Sequence, residues 1–444
     1  MWGRAAPTID LVPASPTPSS ATPTGLDVRP FRALTYRQQD PEHLARVSSP
    51  AYDLVTPAGR ERLAGSDPHN VVRLILPLDG PASDGTAVAT ERSADRAADA
   101  LRRWQDEGVL VRDAEPGLWL YELRTAGSGP VTAGWLGAVA LPPVGSTAVL
   151  PHEDTYPPAV EGRRALLAAT ATDLEPIVLA HDPEPEVSAL TDQVRAGDPT
   201  LTVRDTDGVA HRLWRVTDER LVDRLTGALA RTEAVIADGH HRFAAARANQ
   251  RSGPRAGSDR VLALVTPMGP GGLRVDPIHR VVPDLDLDTA VRAAAAGFTV
   301  TDVPVAGGAE DAVRGWMARP VAGDFLVTDG RRLVRLSDPS ADVRAGVPSE
   351  APSAWRGLDV VLAHYGLLDG LWHRPDDPDS VLIAHSVEEA LRLAGDRAGV
   401  GLLLRAPSPG DVAAVARAGA RMPRKSTLFV PKPRTGLVLR PLAD

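Results

Sequence analysis

Three short runs hold side chains whose types and spacing could do chemistry. The first is Asp238-Gly239-His240-His241-Arg242, which sets two imidazoles and a guanidinium directly after a glycine. The residues before it, Thr232 to Ile236, are apolar and β-branched enough to read as a strand. The residues from about His241 to Gln250 read as a helix. A strand, a glycine turn and a helix start leave backbone N–H groups free at the positive end of the helix dipole, where an anion is favoured. Cations at that end are disfavoured by roughly several tenths of a kcal/mol, and a bound phosphate would reverse the sign. Arg242 could then offer a bidentate fork, and His240 and His241 further donors. Gly239 would admit close backbone approach, and Asp238 could orient an imidazole or help hold a metal. Two other readings compete. One is a plain Asp-Gly turn whose histidines are satisfied by neighbours. The other is zinc, against which stand the rarity of adjacent histidines converging on one metal and the tyrosine in His152-Glu153-Asp154-Thr155-Tyr156, where a zincin helix has its second histidine.

The second run, His152-Glu153-Asp154, follows Pro151 in an expected loop and pairs an imidazole with two carboxylates. Glu153 or Asp154 could act as general base toward a hydroxyl or hold magnesium, although surface loops carry such charges routinely. The third, Lys425-Ser426-Thr427, imitates the end of a Walker A loop, but Pro423 and Arg424 replace its glycine context. It could bind phosphate or be a basic surface turn before the strand Leu428-Phe429-Val430. Lys425 and Lys432 are the only lysines among 49 basic residues, so an ammonium in particular is wanted there, unless the clustering is chance. Tyr52-Asp53 and His279-Arg280 are weaker candidates for supporting roles, with capping, packing or surface ion pairs as the alternative. No G-x-S-x-G elbow and no G-x-G-x-x-G turn occurs.

These runs must be carried by a mixture of helices and strands. Residues 1–26, rich in Pro, Ser and Thr, are expected to be disordered, with folded structure starting near Val28. Val71 to Leu76 reads as a buried strand and 89–107 as a helix. Trp119 to Leu123 and Trp135 to Leu141 read as a hairpin about the Gly-Ser-Gly-Pro at 127–130. A helix is expected near Arg163 to Ala171, a second hairpin across Phe325 to Leu336, helices at 387–394 and 410–418, and a strand at Gly401 to Leu404. The class is α+β (mixed α/β), without internal repeats. A chain of 444 residues exceeds what one core usually serves, so several domains are expected: 27–150, 151–285 and 286–444.

Composition narrows the partners. A formal charge of -8 gives no overall attraction to DNA, RNA or an anionic membrane, so no nucleic acid partner is expected. The absence of cysteine removes disulfides, thiolate metal sites and cysteine nucleophiles. No apolar run approaches the roughly 18 to 20 residues that span a bilayer, and residues 1–7 lack a secretory h-region, so a cytoplasmic location is expected.

Together these motifs resemble the domain-of-unknown-function family 1015. The resemblance runs from about Arg29 to Leu442 and rests on Pro50-Ala51-Tyr52-Asp53, His152 to Thr155, Ile236 to Arg242, Pro277 to Arg280, and Met422 to Thr427 with Phe429, Pro431-Lys432 and Thr435-Gly436-Leu437. The family pattern has lysine at both lysine positions. After Thr155 the family commonly carries Lys-Glu-Asp-Arg, whereas this chain has Val160-Glu161-Gly162-Arg163. The Asp-Gly-His-His-Arg run is similar to the phosphate signature of the ParB/sulfiredoxin-like fold, and most to that of ADP-dependent free serine kinases. That resemblance implies a phosphate-binding core that uses ADP or ATP to phosphorylate a small hydroxyl metabolite such as serine. Sulfiredoxin chemistry needs a cysteine, and a DNA-partitioning role lacks any basic arm. A regulatory module that binds nucleotide without turnover and a phosphoester hydrolase remain as alternatives.

Overall fold

The computed structural model describes residues 24–77, 87–125, 131–206, 208–269, 271–305, 307–375 and 380–443. The tail expected to be disordered falls mostly outside them. Leu26 is already buried and donates its N–H to the Thr232 carbonyl, so ordered structure starts slightly before Val28.

The fold is α+β, built on two large sheets. In the first, the strands run in the order Val149–Leu150, Ala234–Asp238, Ile177–His181, Arg260–Pro267, Val131–Ala140, Leu118–Arg124, Ala210–Val216 and Leu201–Arg204, and Val28–Arg29 also pairs with Val131–Ala140. Pairing is antiparallel except at 234–238 with 149–150 and 260–267 with 177–181. Alternation of side chains sends Leu118 and Leu120 to one core and Trp119, Tyr121 and Leu123 to another, so both faces of the central strands are covered. The strands 118–124 and 131–140 form the expected hairpin, with Trp119 opposite Leu136; its turn lies outside the described residues. Strands from both sides of residue 150 lie in this sheet, and the second sheet begins at His279.

The second sheet is antiparallel and runs in the order Thr299–Val303, Leu333–Ser337, Phe325–Thr328, Val400–Leu403, His279–Val282, Leu382–Ala384. The expected hairpin across 325–336 is present, and Gly330 supplies its positive φ of 92° at the Asp329-Gly330 turn. One face packs on the helices 309–317 and 387–396. The other joins Val178, Ala180, Val235 and Ala237 of the first sheet in one continuous core. The helix expected at 410–418 spans Pro409–Arg417 and packs into that same core.

One element departs from expectation. Val71 to Leu76 contains a short helix, Val72–Ile75, rather than a strand. The Asn70 side chain accepts from the Val72 N–H at 2.9 Å and starts the turn, which points Val71 and Leu74 into the same core. A short apolar run suits either conformation, and a local side-chain turn decided between them. No helix among the described residues is long and apolar enough to cross a membrane.

Candidate functional site

The strand 234–238 and the helix His240–Ser252 meet at Gly239, whose φ of 91° and ψ of 30° put it in the left-handed region. Ile177 stands where a side chain at 239 would begin: a Cβ there would lie 2.9 Å from its Cγ2. The strand carries a bulge between Ile236 and Asp238, which oppose the neighbouring residues Leu179 and Val178. The extra residue re-aims Asp238 toward the turn. No side chain caps the helix, so its first N–H groups have no capping acceptor.

Asp238 does not orient an imidazole. One carboxylate oxygen accepts from Arg242 and the other lies 2.6 Å from Lys432 Nζ, which also binds Asp53. The two cations outweigh burial and hold the Asp238 carboxyl below its usual range. Arg242 is mostly buried, donates to the Pro176 carbonyl at 2.5 Å and lies over the Tyr52 ring, with Arg163 on the same ring at 4.4 Å. The guanidinium fork expected for a phosphate is therefore spent on the fold, because a buried cation needs a buried anion. Glu175 completes this support by accepting from the Tyr52 N–H at 3.0 Å and the Thr435 hydroxyl at 2.8 Å.

The groups left facing outward come from three segments. His241 Nε2 accepts the Tyr156 N–H at 3.1 Å, which assigns the proton to Nδ1 and leaves a donor. His240 Nε2 accepts the His152 N–H at 3.3 Å, so its Nδ1–H points toward Glu153, 3.9 Å away. The Thr427 hydroxyl donates to Glu153 Oε1 at 2.7 Å and lies 3.0 Å from His152 Nε2. Burial, with Arg421 in support, keeps His152 neutral, its pKa lowered to about 3 against the pull of the Ile236 carbonyl. His240 is held well below its usual value by burial and by His152 and His241. His241 is lowered by burial and by the charges of Lys425, Arg163 and Arg242. Burial raises the Glu153 carboxyl, against the Thr427 hydrogen bond and Lys425, although 33 % of its side chain stays open to solvent.

Lys425 is exposed, adopts a left-handed φ of 50° and projects its charge on Glu153 and His241. Buried Arg280 donates to the carbonyls of Lys425 and Arg424, at 3.1 and 2.8 Å, and so shapes the loop. Three of the expected residues stay apart. Ser426 is buried and donates to the Pro423 carbonyl. Asp154 is 89 % exposed and faces Arg421 at 3.7 Å, away from Glu153's partners. His279 is fully buried in the second sheet, accepts from the Leu404 N–H and has its pKa lowered to about 4 by burial and by Arg280 and His385. Among the described residues no three His, Asp or Glu side chains converge as a metal site. Glu153 alone could lend a carboxylate to a magnesium ion carried in on phosphates, the usual way that ion binds. Lys432, Glu175 and Arg163 were not among the expected site residues; the rarity of lysine was the signal for the first.

A family model described as "Protein of unknown function (DUF1015)" matches residues 28–361. No protein of curated function matches the chain. Among solved structures, a conserved hypothetical protein from Pyrococcus furiosus is similar over 64% of this chain and 87% of its own, at 16% identity and a TM-score of 0.29. A free serine kinase in complex with AMP is similar over 64% and 84%, at 15% identity and 0.29. SbnI from Staphylococcus aureus, truncated at its C-terminus, is similar over 69% and 88%, at 12% identity and 0.35.

Proposed function

The chain belongs to the DUF1015 family, and from that premise we propose that it is a nucleotide-dependent phosphotransferase acting on a small hydroxyl compound such as free serine. One observation carries the reading: a half-buried carboxylate of raised pKa, Glu153, faces an uncapped helix start flanked by the His241 Nδ1–H and the Lys425 ammonium. The backbone N–H groups after Gly239 and the His241 donor hold a phosphate of ADP or ATP. Lys425 neutralises charge on the phosphoryl group in flight. Glu153 accepts the acceptor's hydroxyl proton, a task that suits a carboxyl whose pKa burial has raised, and the Thr427 hydroxyl fixes its orientation.

A second reading, a module that binds nucleotide without turnover, draws on the diversion of Arg242 to Asp238, which leaves one free cation beside the helix start among the groups named here. Calorimetry with ADP and ATP on the native chain and Lys425→Ala, followed by phosphorus NMR with serine and related alcohols, separates the two. Phosphotransfer that Glu153→Gln abolishes while nucleotide still binds is the expected result. Binding without transfer selects the module, and no binding of either nucleotide defeats both.

A further inference from the structure

Away from this site, a cavity of about 230 Å³ opens where Ala322-Gly323 meets Arg344, Val347 and the segment Arg356–Leu362. It has room for roughly seven waters at about 30 Å³ each, the size of a small metabolite. Val347, Leu358 and Leu362 give it an apolar floor and are nearly buried. Arg344 and Arg356 border it and are exposed, and their guanidinium groups make no hydrogen bond or ion pair among the described residues. The Asp359 carboxylate is two-faced. Oδ1 accepts the Gly323 N–H at 2.7 Å, while Oδ2 has no partner among the described residues. Burial raises the carboxyl, and Gly323, Arg405 and Arg344 oppose that rise. The walls are built for close approach. Gly323 has a φ of 73°, and a Cβ there would lie 2.8 Å from Pro339 Cγ. Directly after Leu362 the chain winds as a π-helix, Ala363–Leu371, a conformation that is rare and favours functional sites.

We propose that this cavity binds a free α-amino acid with an aliphatic side chain. Two guanidinium groups take the carboxylate, Asp359 Oδ2 takes the ammonium, and the side chain rests on Val347, Leu358 and Leu362. A simple anion would leave Asp359 facing it with like charge. An aliphatic chain without charge would leave both arginines unused. Binding here does not require nucleotide or any residue of the first site.

Thermal denaturation of the full chain with L-leucine, N-acetyl-L-leucine, L-leucinamide and inorganic phosphate tests the assignment, since a ligand that binds only the native state raises Tm. L-leucine is expected to raise Tm with concentration, and the two blocked derivatives and phosphate are not. Arg356→Ala and Arg344→Ala, exposed positions that leave the core intact, weaken leucine binding by about tenfold or more. Lys425→Ala leaves it unchanged. No shift with L-leucine, an equal shift with phosphate or with the blocked derivatives, indifference to the arginine changes, or loss in Lys425→Ala each overturns the proposal.

Discussion

Lys432 shows how one side chain can serve a site without touching a ligand. Its ammonium lies between Asp53 and Asp238, with little of it exposed, and Asp238 in turn holds Arg242. Lys432→Met removes one partner and leaves a buried carboxylate short of a cation, a change that costs about 3 kcal/mol when such a pair is broken. Urea unfolding should show that loss, and a midpoint unchanged from the native chain would contradict the buried pair. The sign with pH follows from the shifts. Asp238 is depressed, so its share of the stability is present above about 3.9 and disappears as pH falls through its native value. Lys432 is raised, so its share is complete below about 10.4 and goes as pH rises further. His152 behaves in the opposite way to a paired group. The unfolded chain takes a proton near 6.5, the native chain not until about 3, so protonation of the unfolded state lowers stability as pH falls across that window. Imidazole NMR signals from His152 are expected to stay constant from pH 8 to pH 5; a midpoint near 6.5 would show that the ring is not buried as described.

At the scale of the element, the turn at Gly239 sets where the helix 240–252 begins and what its open end faces. The left-handed backbone there costs an ordinary residue about 1 to 2 kcal/mol, and a methyl group would also press on Ile177. Gly239→Ala should therefore lower the unfolding midpoint and close the space before the helix N–H groups. A variant of native stability that binds ADP like the native chain would show that neither the turn nor its clearance matters. The loop 423–427 is the complementary element. Arg280 and the Ser426 hydroxyl hold its carbonyls from inside, which leaves Lys425 and Thr427 to face the helix start.

Across the whole molecule, the C-terminal segment stitches together parts distant in sequence. Met422 binds the His152 carbonyl, Thr435 pairs with Ser49, Leu439 with Leu34, and buried Arg440 with Asp173. Val178, Ala180, Val235 and Ala237 share a core with the second sheet, so neither sheet can expose its inner face alone. Unfolding is expected as a single transition, with far-UV circular dichroism and fluorescence coinciding, because Trp119, Trp135 and Trp214 lie in the first sheet's cores and Trp355 and Trp372 in the shared one. Two separated transitions would show that the layers are independent units.

The residues themselves determined a good deal. Apolar period and glycine placement were enough for the strand, turn and helix around Asp238 to Arg242, for both hairpin pairings and for the α+β class, since these are local or near-local properties. The Asn70 side-chain turn reversed the reading of Val71 to Leu76, because so short an apolar run carries too little period to distinguish strand from helix. What each charged side chain does was decided only by tertiary contacts. Arg242 and Lys432 are both cations in conspicuous motifs, yet they close on Asp238, and Lys425, seven residues before Lys432, stays open. The partner of a charge is set by whichever opposite charges the fold brings beside it, and Lys432 meets both Asp238 and Asp53, the latter some 380 positions away in the chain.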